Sequence, residues 1–303
     1  MNKLSETAKA SLADVFCHGC WGVSFLASRI CLNQTDVFTL LSHRFLIAFL
    51  LMHLRPGELR SMRLSRRQVL LLLALGLAQP VFYFFGEQYG ILHSTTSFSG
   101  LMIGMIPIFS TLAAWPFLRE KPTPGQLIFG VLSVVGVIGI GLLSRSSGRL
   151  NWIGVAALIL AVCSATAYTL LGRSLSRTTS AYARTYAMMG IGAVVFTMIA
   201  LIRGRGDLAA YVRPIGDWHY TLPMLFLSVF CSVLCFFCSS YALTRLPVAR
   251  ETAFANLTTA VSVFVGVVFL REPFSWAALG FTALILLGIW GVQRTSPGQD
   301  AEN

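Results

Sequence analysis

Phe117-Leu118-Arg119-Glu120 and Phe269-Leu270-Arg271-Glu272 are one four-residue block written twice, 152 positions apart. The same offset lays Tyr89 on Tyr241 and Ser110 on Ser262, without a gap from Tyr89 to Glu120. Each block closes a long apolar run, and each is followed by a Pro-containing turn and a Gly-rich apolar run. Internal symmetry of this kind marks a chain built from two related halves.

Outward from the two blocks, apolar runs recur near residues 12–30, 36–54, 69–90, 96–118, 124–143, 151–171, 181–202, 220–242, 251–270 and 274–292. A helix needs about 20 apolar residues to cross the hydrocarbon. Arg55-Pro56-Gly57-Glu58, Lys121-Pro122-Thr123-Pro124 and the Ser144 to Gly148 stretch punctuate the runs. The composition agrees: 55% of the 303 residues are hydrophobic and 12% charged, about half the charge of a soluble domain. The expected fold is an all-α integral membrane protein of ten transmembrane helices. Its first five-helix repeat covers residues 12–145 and its second 150–292, with short tails at 1–11 and 293–303. Five spans per half is an odd number, so the second half enters the bilayer from the opposite face. Inverted repeats are the signature of secondary transporters with a midplane site and alternating access.

The net charge of +11 is scattered over short loops and does not concentrate on one folded face, which argues against nucleic acid as a partner. Lys and Arg number 15 on the side of the termini and 7 on the other, with Arg44 inside a span. Arg55, Arg60, Arg63, Arg66 and Arg67 dominate the count, so both termini are expected in the cytoplasm. The expected location is a bacterial inner membrane. The first run is too long, and lacks the small-residue site, for a cleaved signal. Seven cysteines lie almost wholly in apolar runs and read as small buried hydrophobes, although Cys17 and Cys20 flank His18 as metal ligands could. No metal and no cofactor are expected.

Trp21-Gly22, His43-Arg44-Phe45, Tyr89-Gly90-Ile91 and Ile106-Pro107-Ile108, with the two Phe-Leu-Arg-Glu blocks and their distal Gly130 and Gly280, carry a resemblance. Over roughly residues 12–292 the chain resembles an EamA-type transporter of the drug/metabolite transporter superfamily. The resemblance implies ten helices with cytoplasmic termini. It also implies a cavity lined by the first, third, fourth, sixth, eighth and ninth spans, and a small metabolite as cargo.

Charged groups within spans cost about 2.5–3.5 kcal/mol each at mid-helix, so each asks for a reason. Arg44 and Glu87 fall at comparable depth on the extracytoplasmic side. They are expected to approach one another, or Arg44 to draw a substrate carboxylate, against the plainer reading of a structural pair or a snorkelling arginine. Glu87 is the candidate for proton coupling. Asp14 and His18 share a helical face, with His18 as a polar contact and Trp21 as a stacking wall at a cytoplasmic mouth. Packing alone would also place Trp21 and Gly22 there. Tyr83, Tyr168, Tyr241 and Asn256 follow as cavity candidates, because they fall in spans the resemblance assigns to the cavity. Glu120 and Glu272 precede turns whose Thr123 and Ser275 cap the next helix, where a carboxylate suits the helix dipole. Pro80 and Pro107 are expected to break helical hydrogen bonding mid-span.

These readings point to a carrier of a small-molecule substrate in the lipid bilayer, exporting an amino acid or an amino-acid-derived compound such as an opine-like metallophore. Import of a vitamin or nucleoside-like metabolite, or flipping of a lipid-linked intermediate, shares the architecture, and a homodimer is left open. Motifs of an intramembrane enzyme and of a nucleotide-binding loop are absent from the sequence.

Overall fold

Helix boundaries follow capping residues. Asp36 accepts the amides of Phe38 and Thr39, Ser180 that of Ala183, Asn151 that of Gly154 and Ser275 that of Ala278. Ser65 with Gln68 and Thr123 with Gln126 form reciprocal capping boxes. Asp217 accepts the His219 amide at 2.9 Å, a bond that holds its carboxyl below the ordinary carboxylate range.

The computed structural model describes residues 6–54, 64–118, 121–146, 151–175, 178–243, 248–272 and 275–295. Among them all regular structure is helical. We number the helices α1 (Glu6–Leu32), α2 (Val37–Met52), α3 (Arg66–Gly76, Leu77–Phe82, Tyr83–His93) and α4 (Thr96–Ile103, Ile106–Leu118). Then follow α5 (Pro124–Ser146), α6 (Trp152–Leu175) and α7 (Ala181–Arg203). After a short helix, Leu208–Val212, come α8 (Trp218–Leu225, Phe226–Leu234, Cys235–Leu243), α9 (Val248–Phe269) and α10 (Trp276–Arg294). Seven helices are long and apolar enough to cross a bilayer, and three shorter apolar ones, Val37–Met52, Leu257–Phe269 and Trp276–Val292, accompany them. Large apolar side chains such as Phe117 and Trp276 point outward, as they do on a surface solvated by lipid. The chain is a multi-pass membrane protein.

Three helices are interrupted. Gln79 takes extended backbone angles (φ −143°, ψ 114°) immediately before Pro80, and α3 widens into a π-helical stretch, Leu77–Phe82. α8 widens likewise over Phe226–Leu234. Shifted by 152 residues, the first stretch falls inside the second. α4 breaks at Gly104–Met105, and Pro107 lies in the first turn of the following segment, where its missing N–H costs nothing. Pro80 therefore breaks a helix, whereas Pro107 restarts one.

The seam between α5 and α10 reads the same from both sides. Gly136 and Gly139 give room for Ile285 and Phe281, while Gly288 and Gly291 give room for Ser133 and Phe129. Each of these residues has its counterpart at the 152-residue offset, and Ser133 bonds the carbonyl of its own counterpart, Ile285, at 3.2 Å. α2 and α7 pack through Gly190 on Phe49, Gly192 on Phe45 and Ser42 on Thr197. Small residues let helix backbones approach where lipid gives no hydrophobic drive.

We call the bundle end at which α1 begins proximal and the other distal. Proximally, Gln68 bonds the carbonyl of Thr178, Tyr182 that of Met52 and Thr123 that of Thr295. Distally, Asn151 meets His93, and Cys31 meets the carbonyl of Tyr220.

Candidate functional site

Where α2, α3 and α8 meet, the fold buries charge. Arg44 is 2% exposed, donates Nε to Ser232 Oγ at 2.8 Å and lies over the Phe84 ring, 4.4 Å from its centroid. Ser232 in turn donates to the carbonyl of Leu227 inside the π-helical stretch of α8. Beside them on α3, Glu87 is 5% exposed, and its oxygens accept from Tyr83 Oη at 2.8 Å and Gln88 Nε2 at 2.9 Å. Arg44 and Glu87 influence one another electrostatically, but no direct ion pair joins them. Gln88 Oε1 is buried without a partner, so the cluster keeps an unused acceptor as well as a cation. The cluster is walled by the Phe84 and Phe45 rings, over which the Arg44 guanidinium lies.

α1 runs between α8 and α9. Trp21 donates Nε1 to the carbonyl of Cys231 at 3.1 Å and meets Phe236 edge-on. Cys17 and Cys235 each point a thiol at the other's carbonyl, and Cys231 points at that of Cys20. The thiols thus tie the α1–α8 seam. On the other flank, Gly22 lies against Thr258 and Val261, and His18 Nδ1 is 2.9 Å from Thr258 Oγ1. His18 Nε2 is 3.7 Å from Asp14 Oδ1.

The sequence candidates therefore divide. Arg44, Tyr83 and Glu87 come together, and His18 and Trp21 form a second group with ring centroids 5.2 Å apart. Tyr168 lies apart on α6, within electrostatic reach of Arg184 on α7. The side chains of Tyr241 and Asn256 lie outside the described residues, as does Glu120. Sequence reasoning missed Ser232 and Gln88. A lone serine in an apolar run carries no signal of its own, but a glutamine next to Glu87 was a visible hint.

Glu272 needs a correction. Its carboxylate sits at the N-terminus of α4, not of the helix that follows it: Oε1 accepts from the Thr96 amide and Oε2 from the Ser97 amide at 3.0 Å. α9 ends with Arg271 in the left-handed region (φ 50°) and the Glu272 amide bonded to the Gly266 carbonyl. That reversal carries the carboxylate back over the helix end. Gly266 leaves space for it, since a Cβ there would meet Ser97 Oγ and Glu272 Oε2. Arg29 donates to the Ser94 carbonyl and faces Glu272 electrostatically. Below this clasp, Gly100 lies on Ser262 and Gly104 on Thr259. Among the described residues the second segment of α4, Ile106–Leu118, packs instead on α6 and α10. Among the described side chains the contacts of α4 with α9 are distal, and those of residues 248–256 lie outside the described ones.

The grooves on the outer surface are apolar. One of about 470 Å³ runs along α1 and α8 past Leu26, Ile30 and Phe226, and neither it nor the groove between α4 and α5 touches the charged cluster.

Discontinuous helices, small-residue seams and buried charge between them are the features of a membrane carrier. The EamA-like transporter family matches the chain twice, over residues 13–142 and 152–294, and the chain belongs to that family. It is 32% identical over 277 residues to the uncharacterized transporter YcxC of Bacillus subtilis (strain 168), covering 89% of this chain and 88% of that one. It is 26% identical over 299 residues to a probable terminal-alkyne amino-acid exporter of Streptantibioticus cattleyicolor, covering 98% and 97%. A solved crystal structure superposes with a TM-score of 0.65 at 18% identity, covering 97% of this chain and 99% of the other, a likeness of fold.

Proposed function

We propose that the protein exports an amino acid or amino-acid-derived metabolite across the bacterial inner membrane by alternating access between two inverted five-helix halves. The halves are residues 12–145 and 150–292, with both termini in the cytoplasm. The α5–α10 seam and the matched π-helical stretches of α3 and α8 support the inversion. The observation that carries the mechanism is the distal closure of α4 on α9, made by Glu272 on the Thr96 and Ser97 amides and by Gly100 on Ser262. With the termini cytoplasmic, the distal side is extracytoplasmic, and this is the conformation that loads from the cytoplasm. Arg44 then orients the substrate carboxylate, and Phe84 and Phe45 accept its apolar part. The exporter of Streptantibioticus cattleyicolor supports the substrate class.

Everted membrane vesicles containing the protein are expected to accumulate radiolabelled amino acids from a mixed panel, and Arg44→Gln to reduce this at least tenfold. Uptake confined to right-side-out vesicles, or to vitamins and nucleosides, would overturn the reading.

A further inference from the structure

Ser11, Asp14 and His18 lie three and four residues apart and so share one face of α1. Asp14 is fully buried and His18 is 6% exposed, yet Ser11 Oγ, both Asp14 oxygens and His18 Nε2 have no hydrogen-bond partner. A buried carboxylate with neither donor nor cation is among the costliest arrangements a fold can hold.

The neighbouring bonds fix what is missing. Thr258 Oγ1 donates its only proton to the His18 carbonyl at 3.1 Å, so toward the ring it accepts. His18 Nδ1 must then carry the hydrogen in that 2.9 Å contact. A neutral imidazole has one N–H, so Nε2 presents a bare lone pair, and 3.7 Å away stands an Asp14 oxygen. Two acceptors face each other across a gap with no donor between them. One proton satisfies both, as O–H on Asp14 directed at Nε2 or as N–H on the ring directed at the carboxylate. Sodium fits poorly, because it seeks several oxygen ligands and a ring nitrogen supplies none. Glu87 lacks this vacancy: both its oxygens already accept donors.

We infer that Asp14 and His18 form the proton-loading site that couples transport, an inference that rests on the carrier function proposed above. One proton is taken from water on one side of the membrane, forms the O–H or N–H bond within the pair, and is returned to water on the other side. The site borders both seams of α1, through Cys17 to α8 and through Thr258 to α9, so its charge state acts on the contacts of α1 with both neighbours. Cys17 and Cys238 are the titratable groups facing Asp14 from α1 and α8, and the side chains of Arg250 and Glu251 on α9 lie outside the described residues. Glu6 and Lys9, nearer the helix start, neutralise one another at 2.7 Å.

Infrared difference spectra of the full chain in nanodiscs, titrated with pH, test this without a substrate. A protonated-carboxyl band is expected to titrate in the wild type and Glu87→Gln, to vanish in Asp14→Asn, and to shift its midpoint in His18→Gln. Emission of Trp21, edge-on to His18, is expected to follow the same midpoint, and its difference from Trp21→Phe isolates it. A band that persists in Asp14→Asn, or that sodium chloride abolishes at fixed pH, would overturn the proposal. In vesicles Asp14→Asn is expected to keep substrate exchange while losing its response to an imposed pH gradient; an unchanged response refutes the coupling. A wild type that carries no amino acid refutes the exporter instead and leaves the infrared result standing.

Discussion

Two seams in this molecule join a helix to its counterpart at the 152-residue offset, and they differ in how far the contact runs. Between α5 and α10, Gly136 and Gly139 face Ile285 and Phe281 just as Gly288 and Gly291 face Ser133 and Phe129. Between α4 and α9, the distal contacts Gly100–Ser262, Gly104–Thr259 and Ser97–Gly266 are made. Ser110, the counterpart of Ser262, lies on the proximal segment with its hydroxyl unpartnered. A seam satisfied in both directions has nothing to gain by moving. The described contacts of the α4–α9 seam are distal, and the alternating access proposed above requires a second arrangement in which the proximal ends meet. On the alternating access proposed above, α5 and α10 belong to the frame and α4 and α9 to the moving parts.

The strongest way to break the comparison is to spoil the frame. A Cβ at Gly288 would stand 2.7 Å from the Phe129 carbonyl and from Ser133 Cβ, backbone and short side chain that cannot swing away. Gly288→Leu is expected to cost about 3 kcal/mol or more, read as loss of the monodisperse peak in size-exclusion chromatography. At Gly100 an added Cβ would overlap Ser262 Oγ across the α4–α9 seam. Gly100→Leu is expected to leave a folded protein that cannot close distally. Combined with Ser262→Cys, it should lose substrate flux to background while thiol reagents added on the distal side label the thiol at position 262. A Gly100→Leu protein that fails to fold would place that seam in the frame too.

Glu272→Gln gives the smallest and most graded effect. The carboxylate makes two charge-assisted bonds to amides at the α4 N-terminus, and its loss is expected to cost the distally closed state about 1.5 kcal/mol. That shifts the open-to-closed ratio about tenfold, measurable as faster labelling of the same cysteine at 262. An unchanged labelling rate would make Glu272 a static cap.

Much of this was legible beforehand. The apolar runs and their punctuation follow from what lipid and backbone demand of a chain, the 152-residue offset could be read from identities alone, and Gly22 already suggested close helix approach. Thr123 and Ser275 cap the helices they precede, as local rules say they should. Glu272 misled because capping rules look along the chain, whereas the helix it serves lies 176 residues earlier at Thr96. Arg44 and Glu87 announced themselves by charge alone. Ser232 did not, since only the meeting of α2 and α8 gives its side chain a task, whereas Gln88 stood beside Glu87 in plain view. Asp14 showed in the sequence only as sharing a helical face with His18; that its oxygens are buried and unpartnered follows from how α1 packs.

The α5–α10 seam has one more consequence. A surface that accepts its own counterpart through a two-fold axis is isologous: what one partner offers, the other returns. Such a surface needs only one sequence, presented twice in opposite orientations. On the inversion proposed above, either half, made alone and inserted both ways up, would carry what this seam requires to pair with itself, and fusion into one chain would fix the stoichiometry and orientation that free halves would leave to chance.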